Sequence, residues 1–448
     1  MRRIVIVGGG YAGFYTAWKL EKKLRKGEAE VIVIDPLPYM TYQPFLPEVM
    51  AGSVEPRHAL VSLRRHLRRT ELLAATVTAV DHARKTVTVR PAVGEEYELG
   101  YDIVVVTAGA VTRTFPIPGV LDEAIGLKTI EEAVAIRDRL IANFDRAATL
   151  LPGPDRARLL TATFVGGGFA GVEGFGELLS LATALLDSYP EITFDELDFR
   201  LVEAQGRILP EVSEKTGRWV VDSLEDRGGR VLLGTQLLSA TGGHVVLSNG
   251  EEFDSDLIVW TAGTAANPVV AKHTDLPVDD RGRLVVGADL RVRDNGEVVV
   301  DAWGAGDDAA VPDVSRTAAR STTVPNAQHA VRQGKRLAAN LVADLRGESP
   351  RDYVHSNLGV VATLGLYTGV FQSGPFVVKG FVAWVMHRGY HVLAVPTWER
   401  KVRVLAAWIL SFVLGRDIVT LEQTQHPRDA FAGAGQGRRD EPRVGEPR

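Results

Sequence analysis

Cysteine is missing from all 448 residues. Its absence excludes disulfides, thiolate-held iron–sulfur clusters and any dithiol relay. Disulfide reductases and sulfide-oxidising flavoproteins, whose chemistry needs the thiol, are excluded with them. Long apolar runs are also missing: no stretch approaches the ~18 uncharged apolar residues of a spanning helix. Nor is there a strong charge of either sign. The 51 basic and 56 acidic residues leave a net charge of −5, which argues against nucleic acid as a partner. The apolar run 4–7 behind Arg2 and Arg3 is too short for the core of a signal peptide. A cytoplasmic location follows, with membrane attachment only from the side.

What the chain does have is glycine, 45 residues of it, arranged twice in the same way. Ile4-Val5-Ile6-Val7 runs into Gly8-Gly9-Gly10-Tyr11-Ala12-Gly13, and Thr163-Phe164-Val165 runs into Gly166-Gly167-Gly168-Phe169-Ala170-Gly171. One G-x-G-x-x-G is weak evidence. Two, each after a hydrophobic strand and before a helical stretch, predict two dinucleotide sites. In each, Gly8 or Gly166 permits the tight turn, Gly10 or Gly168 admits the pyrophosphate, and Gly13 or Gly171 lets helix pack on strand. The pyrophosphate then rests on free N–H groups at a helix N-terminus. Two such sites in one chain imply that electrons pass from one bound dinucleotide to another.

Each turn is followed by a second strand ending in an acid. Asp35 stands 22 residues beyond Gly13, where a carboxylate accepts the hydroxyls of an adenosine ribose. Glu203 ends the strand 198–203 and is expected to hydrogen-bond the 2′-hydroxyl of NADH while repelling the 2′-phosphate of NADPH, with Arg207 close enough to soften that choice. Buried strands ending at Gly109 and at Gly263 repeat one another, as an internal duplication would. The strand 298–303 runs into Gly306-Asp307, a pattern that places FAD on the first unit and NADH on the nested one. The first helix is expected over 15–26, and the helix of the second unit over 177–189. The fold class is α/β: two Rossmann-like dinucleotide-binding domains, the second inserted in the first, plus a C-terminal extension. The expected boundaries are 1–115 with 280–350 for FAD, 116–279 for NADH, 351–425 for the extension and 426–448 for a disordered tail.

With no cysteine, the electrons must leave to a quinone, a protein or oxygen. The segment Pro325-Asn326-Ala327-Gln328-His329-Ala330-Val331-Arg332-Gln333 reads as the start of a helix that points at the flavin. On these motifs, together with Leu127-Lys128-Thr129, Gly171-Val172-Glu173 and Tyr42-Gln43-Pro44, the chain resembles the type II NADH dehydrogenases, single-chain, non-proton-pumping NADH:quinone oxidoreductases. The resemblance runs from about residue 4 to 418. It implies FAD and NADH as cofactors, a quinone as acceptor and a homodimer at the inner leaflet of the cytoplasmic membrane. It also implies Glu173, Gln328 and Gln333 on the acceptor side. Gln43, Ala327 and Lys379 join the cofactor-binding residues. Arg332 departs from the family pattern, standing where a second Gln is expected, and a charge there favours a more polar acceptor. Without the resemblance, Glu173 reads as a helix-start acid stabilised by the dipole and Gln328 as helix-cap polarity.

The extension carries Trp384, Trp398 and Trp408 among Lys379, Arg388, Arg400, Lys401, Arg403 and Arg416. Its uncharged run 404–414 is half of what a span requires. Aromatic and apolar stretches flanked by cations suit helices lying in a membrane interface; a dimer face or packing against the flavin domain would read alike. The basic run 64–69 is expected to be a solvated helix face. A soluble reductase of a small electron-transfer protein is the other enzymatic reading of the same two sites, and a flavin-binding sensor with negligible turnover the non-enzymatic one.

Overall fold

The computed structural model describes residues 1–315, 321–355 and 359–420, so the expected tail 426–448 lies outside the described residues. The run Ile4 to Val7 is no more than 2% exposed, and so is Ile103 to Val106. Such uninterrupted apolar strands must be covered on both faces, which is the condition of a parallel sheet. They form the centre of an eight-stranded sheet. The strand Arg2–Val7 lies between Ala29–Asp35 and Ile103–Val106, parallel to both, with Ile4 opposite Val31 on one side and Ile103 on the other. Glu297–Gly304 joins beyond Ile103–Val106, so a strand from late in the chain completes a sheet begun at its first residues.

The second sheet repeats this plan with five parallel strands. Thr161–Val165 lies between Asp198–Glu203 and Leu257–Trp260. In both sheets the strand before the glycine turn is the one from which the order runs outward in two directions. A crevice opens at the carboxyl end of such a strand. The two units are joined by a short antiparallel pair, Ala110–Thr112 with Thr264–Ala266.

The helices begin at the turns themselves, Tyr11–Lys23 and Phe169–Leu185, earlier than the apolar periodicity suggested. The third glycine of each turn is therefore already helical. Gly13 tolerates no side chain: a Cβ there would lie 1.9 Å from the carbonyl oxygen of Gly8, and one on Gly171 would lie 1.9 Å from that of Gly166. The helix Ala327–Leu345 packs on Tyr11–Lys23, with Gly334 against the backbone of Ala12. That contact fixes where residues 326–328 point. Asn326 caps this helix by accepting the N–H of His329 at 2.8 Å.

The extension is a three-stranded antiparallel sheet (Val360–Thr363, Gly369–Ser373, Phe376–Lys379) followed by the helices Phe381–Ala394 and Trp398–Leu414. The first of these helices is turned inside out. It buries Ala383, Trp384, His387, Arg388 and His391 and exposes Phe381, Val382, Val385 and Leu393. The basic run near residue 64 forms only one helical turn, Leu63–His66, and Arg65 pairs with Glu399 of the last helix at 3.3 Å.

Candidate active site

Three neighbouring cavities meet at the N-terminus of Ala327–Leu345. The first, of about 350 Å³, is lined by Gly8, Gly10, Tyr11, Asp35, Gln43, Gly109, Lys128, Gly306, Asp307 and Ala327. Its backbone is fixed by hydrogen bonds repeated in the second unit. Asp35 accepts the N–H of Gly9 at 2.7 Å and of Leu37 at 2.8 Å; Glu203 accepts that of Gly167 at 2.5 Å and of Gln205 at 2.7 Å. The Thr107 hydroxyl donates toward the carbonyls of Val7 and Gly8, both at 3.0 Å, and the Thr261 hydroxyl does the same for Val165 and Gly166.

A dinucleotide fits this geometry. A Cβ on Gly10 or Gly168 would meet open space, whereas one on Gly8 or Gly166 would strike backbone within 3 Å. The turns are thus closed toward the protein and open on the side where a pyrophosphate would sit. Burial raises the carboxyl of Asp35 above its ordinary range, against two backbone donors. Burial also raises Asp307, with Lys128 nearby pulling it down, while burial lowers Lys128.

The second cavity, about 360 Å³, shares Gln43, Lys128, Asp307 and Ala327 with the first and takes its other wall from the nested unit: Phe169, Glu173, Trp260, Thr261 and Gly263. It is where groups bound to the two glycine turns would meet. The third, about 400 Å³, shares Ala327, Gln328, Pro44 and His391 with the second and lies toward the extension. Tyr11, Tyr15, Tyr42, Tyr390, Arg332, Lys335 and Lys401 line it, and among the described residues no carboxylate does.

Glu173 therefore stands in the shared wall. Its Oε1 accepts the N–H of Thr363 at 3.1 Å and lies 3.3 Å from Nε2 of the buried His387. Gln328 faces both the second and third cavities. Gln333 does not. It comes five residues later, about 140° around the helix. There its amide accepts the N–H of Gly306 at 2.8 Å and donates to Thr323 at 3.1 Å. It shapes the Gly306–Asp307 turn instead of facing the acceptor side. Lys379 ends an edge strand with its ammonium 4.7 Å over the ring of Trp219, away from the glycine turns. Sequence reasoning missed His391, whose Nδ1 lies 3.0 Å from the Tyr42 hydroxyl, and also His387 and Glu48. Two histidines four apart on one helix were the available signal.

The family described as pyridine nucleotide-disulphide oxidoreductase matches residues 2–334. A type II NADH:quinone oxidoreductase of Mycobacterium tuberculosis is 27% identical over 428 residues, covering 92% of this chain and 89% of the relative. One from Staphylococcus aureus is 29% identical over 375 residues, covering 82% and 89%. The structure of NDH2 from Plasmodium falciparum in complex with NADH superposes with a TM-score of 0.85 at 18% identity, over 93% of this chain and 99% of that one. The sulfide:quinone oxidoreductase of Aquifex aeolicus, at 17% identity, gives 0.68. The shared architecture is that of two dinucleotide-binding domains, and on the match over residues 2–334 the chain belongs to the pyridine nucleotide-disulphide oxidoreductase family.

Proposed function

We propose that this protein is an FAD-dependent NADH:quinone oxidoreductase. The observation that carries this reading is the run of three joined cavities, one on each side of a chamber walled by both glycine-turn units. Gly8, Gly10, Gly13, Asp35, Gly306 and Asp307 would hold FAD, which supplies the capacity to take a hydride equivalent from NADH and release two electrons to an acceptor. Gly166, Gly168 and Gly171 would seat NADH, with Glu203 at its ribose. Phe169 and Gly263 would then bring the nicotinamide into the middle cavity, where Lys128 and Gln43 border the flavin side. The tyrosine-rich third cavity would take the quinone, with Gln328 as a hydrogen-bond partner and Glu173, in the wall of the neighbouring cavity, assisting proton delivery. Arg332, Lys335 and Lys401 give that cavity a positive rim suited to a polar quinone head.

Attachment to the cytoplasmic leaflet and homodimer formation belong to the same proposal. Among the described residues no helix is long and apolar enough to cross a membrane. Yet Trp398, Leu405, Ile409, Leu410, Phe412, Val413 and Leu414 are exposed on the last helix, more contiguous apolar surface than a water-facing helix carries. A soluble reductase of a small electron carrier would not need that face.

Anaerobic stopped-flow of the flavin-loaded enzyme tests the reading. NADH should bleach the flavin and a water-soluble quinone should restore its colour. E173Q should leave the first step nearly intact and slow the second. Flavin that is reduced by NADH but reoxidised only by a protein carrier would favour the soluble-reductase alternative.

A further inference from the structure

Behind Glu173 lies a buried group of charges that the reading above does not use. Glu48 comes from the short helix Leu46–Met50, Glu173 and Glu177 from Phe169–Leu185, His387 and Arg388 from Phe381–Ala394, and Arg416 follows the last helix. The side chains of Glu48 and Glu177 are fully buried and that of His387 is 1% exposed. Arg388 Nε lies 3.5 Å from Glu48 Oε1 and Arg416 3.4 Å from Glu177 Oε2. Trp408 donates to the other oxygen of Glu48 at 2.7 Å, and Thr363 donates to Glu177 at 2.8 Å. Among the described residues, Glu48 Oε1 and both ring nitrogens of His387 have no well-aligned hydrogen bond.

The group brings a titratable ring, His387, against carboxylates from two other elements. Three carboxylates face three guanidiniums that never deprotonate: Arg388 at Glu48, Arg416 at Glu177 and, from the far side of Glu177, Arg227. Burial alone would keep His387 neutral, but Glu173, Glu48 and Glu177 together raise its affinity for a proton; burial raises Glu48, against the pull of Arg388. His391, whose ring lies 4.4 Å from that of His387, is held neutral by burial and by its charged neighbour. The carboxylates thus favour a proton on His387, next to Glu173. At one end, Glu173 lines the middle cavity. At the other, Arg388, Trp408 and Arg416 line a separate cavity of about 260 Å³ between the two C-terminal helices.

Quinone reduction needs such a supply. NADH, one proton and a quinone give NAD⁺ and a hydroquinone; the hydride brings both electrons and one proton, and the second proton must come from solvent. Among the described residues no carboxylate lines the acceptor cavity to provide it. We propose that Glu48 and His387 form the inner path by which a proton from the water of the membrane interface, admitted at the cavity that Arg388 and Arg416 line together with Ile409 and Phe412, reaches Glu173. This rests on the reading that Glu173 serves the acceptor step. His387 and Glu48 act through Glu173 and are positioning residues of the path.

The test is anaerobic stopped-flow on the flavin-loaded H387Q, H387A, E48Q and E173Q enzymes. H387Q should be reduced by NADH within about twofold of the native rate, and its reoxidation by a short-chain benzoquinone should slow at least about tenfold, the lower edge of what a proton-transfer group contributes. Added imidazole, which the neighbouring cavity can admit, should restore reoxidation in H387A. In ¹⁵N spectra of the histidine-labelled holoenzyme, the His387 ring should hold its proton to higher pH than free imidazole, and E173Q should reduce that shift. Native reoxidation in H387Q with slow reoxidation in E173Q would overturn the path and leave the role of Glu173 standing. Native reoxidation in E173Q would overturn the underlying reading. Slow H387A without imidazole rescue would make His387 structural and overturn the path as well. Should the His387 variants not retain flavin, E48Q decides: slow reoxidation that speeds as pH falls supports the path, and a native pH profile refutes it.

Discussion

The hydroxyl of Thr107 lies 3.0 Å from the carbonyl oxygen of Gly8, holding the first glycine turn shut from behind. Thr261 and Gly166 repeat the contact at the same distance. Each hydroxyl supports the peptide on which a pyrophosphate would lean, and each belongs to one cofactor. A hydrogen bond of this kind contributes about 1 kcal/mol net, or roughly fivefold in affinity. Thr107→Val should therefore weaken retention of FAD about fivefold, measured by flavin release on dilution, with little change in the KM for NADH. Thr261→Val should do the reverse. Equal effects of both variants on both ligands would contradict the separate assignment.

Glu203 holds Gly167 and Gln205 through its two carboxylate oxygens, so it is fixed at the strand end before any cofactor arrives. Replacing it with Ala should improve kcat/KM for NADPH by at least about tenfold through loss of charge repulsion, and reduce that for NADH by less. Steady-state rates with both nucleotides check this. An enzyme that uses the two equally before substitution would remove Glu203 as the selector.

Asp308 is fully buried, and burial pushes its carboxyl up to about 7, with neighbouring Asp307 adding to the shift and the amides of Ala108 and Gly109 opposing it. A carboxyl raised in this way binds its proton more tightly folded than unfolded. Stability is therefore intact below the unfolded value, is lost as pH rises toward 7, and stays reduced above it. Asp308→Asn should match the native protein near pH 4 and melt at a higher temperature at pH 8, the stability difference having an upper bound on the order of 4 kcal/mol. Parallel melts from pH 4 to 8 measure the difference. A constant gap, or one that closes with rising pH, would be the wrong sign.

Leu410 and Phe412 stand on the outer face of the last helix, Phe412 with 73% of its surface free. Substituting both with Asp removes two apolar anchors of roughly 1.5–3 kcal/mol each and adds repulsion from anionic headgroups. Co-sedimentation with anionic liposomes at low salt should fall sharply while flavin absorbance and NADH-driven bleaching persist. Unchanged sedimentation would place membrane contact elsewhere on the protein.

The two glycine turns, the acids Asp35 and Glu203 and the Gly306–Asp307 segment were legible in the sequence. Backbone geometry dictates residue type at those positions: a Cβ on Gly13 or Gly171 has no room, and the constraint is local. The strand 198–203 was read to its ends because an apolar run bounded by charges is its own boundary. Helix starts were placed too late because glycine hides the first helical turn from a reading based on apolar periodicity.

What only the tertiary structure decided is which faces meet. Gln333 was assigned to the acceptor side beside Gln328, but the phase of one helix turns it toward Gly306. The helix Phe381–Ala394 looked like an ordinary amphipathic segment. In the fold its apolar side faces outward, and its histidines and arginine are buried against Glu48 and Glu173, residues 339 and 214 positions from His387 in the chain. Sequence fixes what each short stretch can be, because its constraints are steric and act over a few residues. Which charges share a low-dielectric interior depends on the packing of distant elements, and that is where the reactive arrangement of this protein was set.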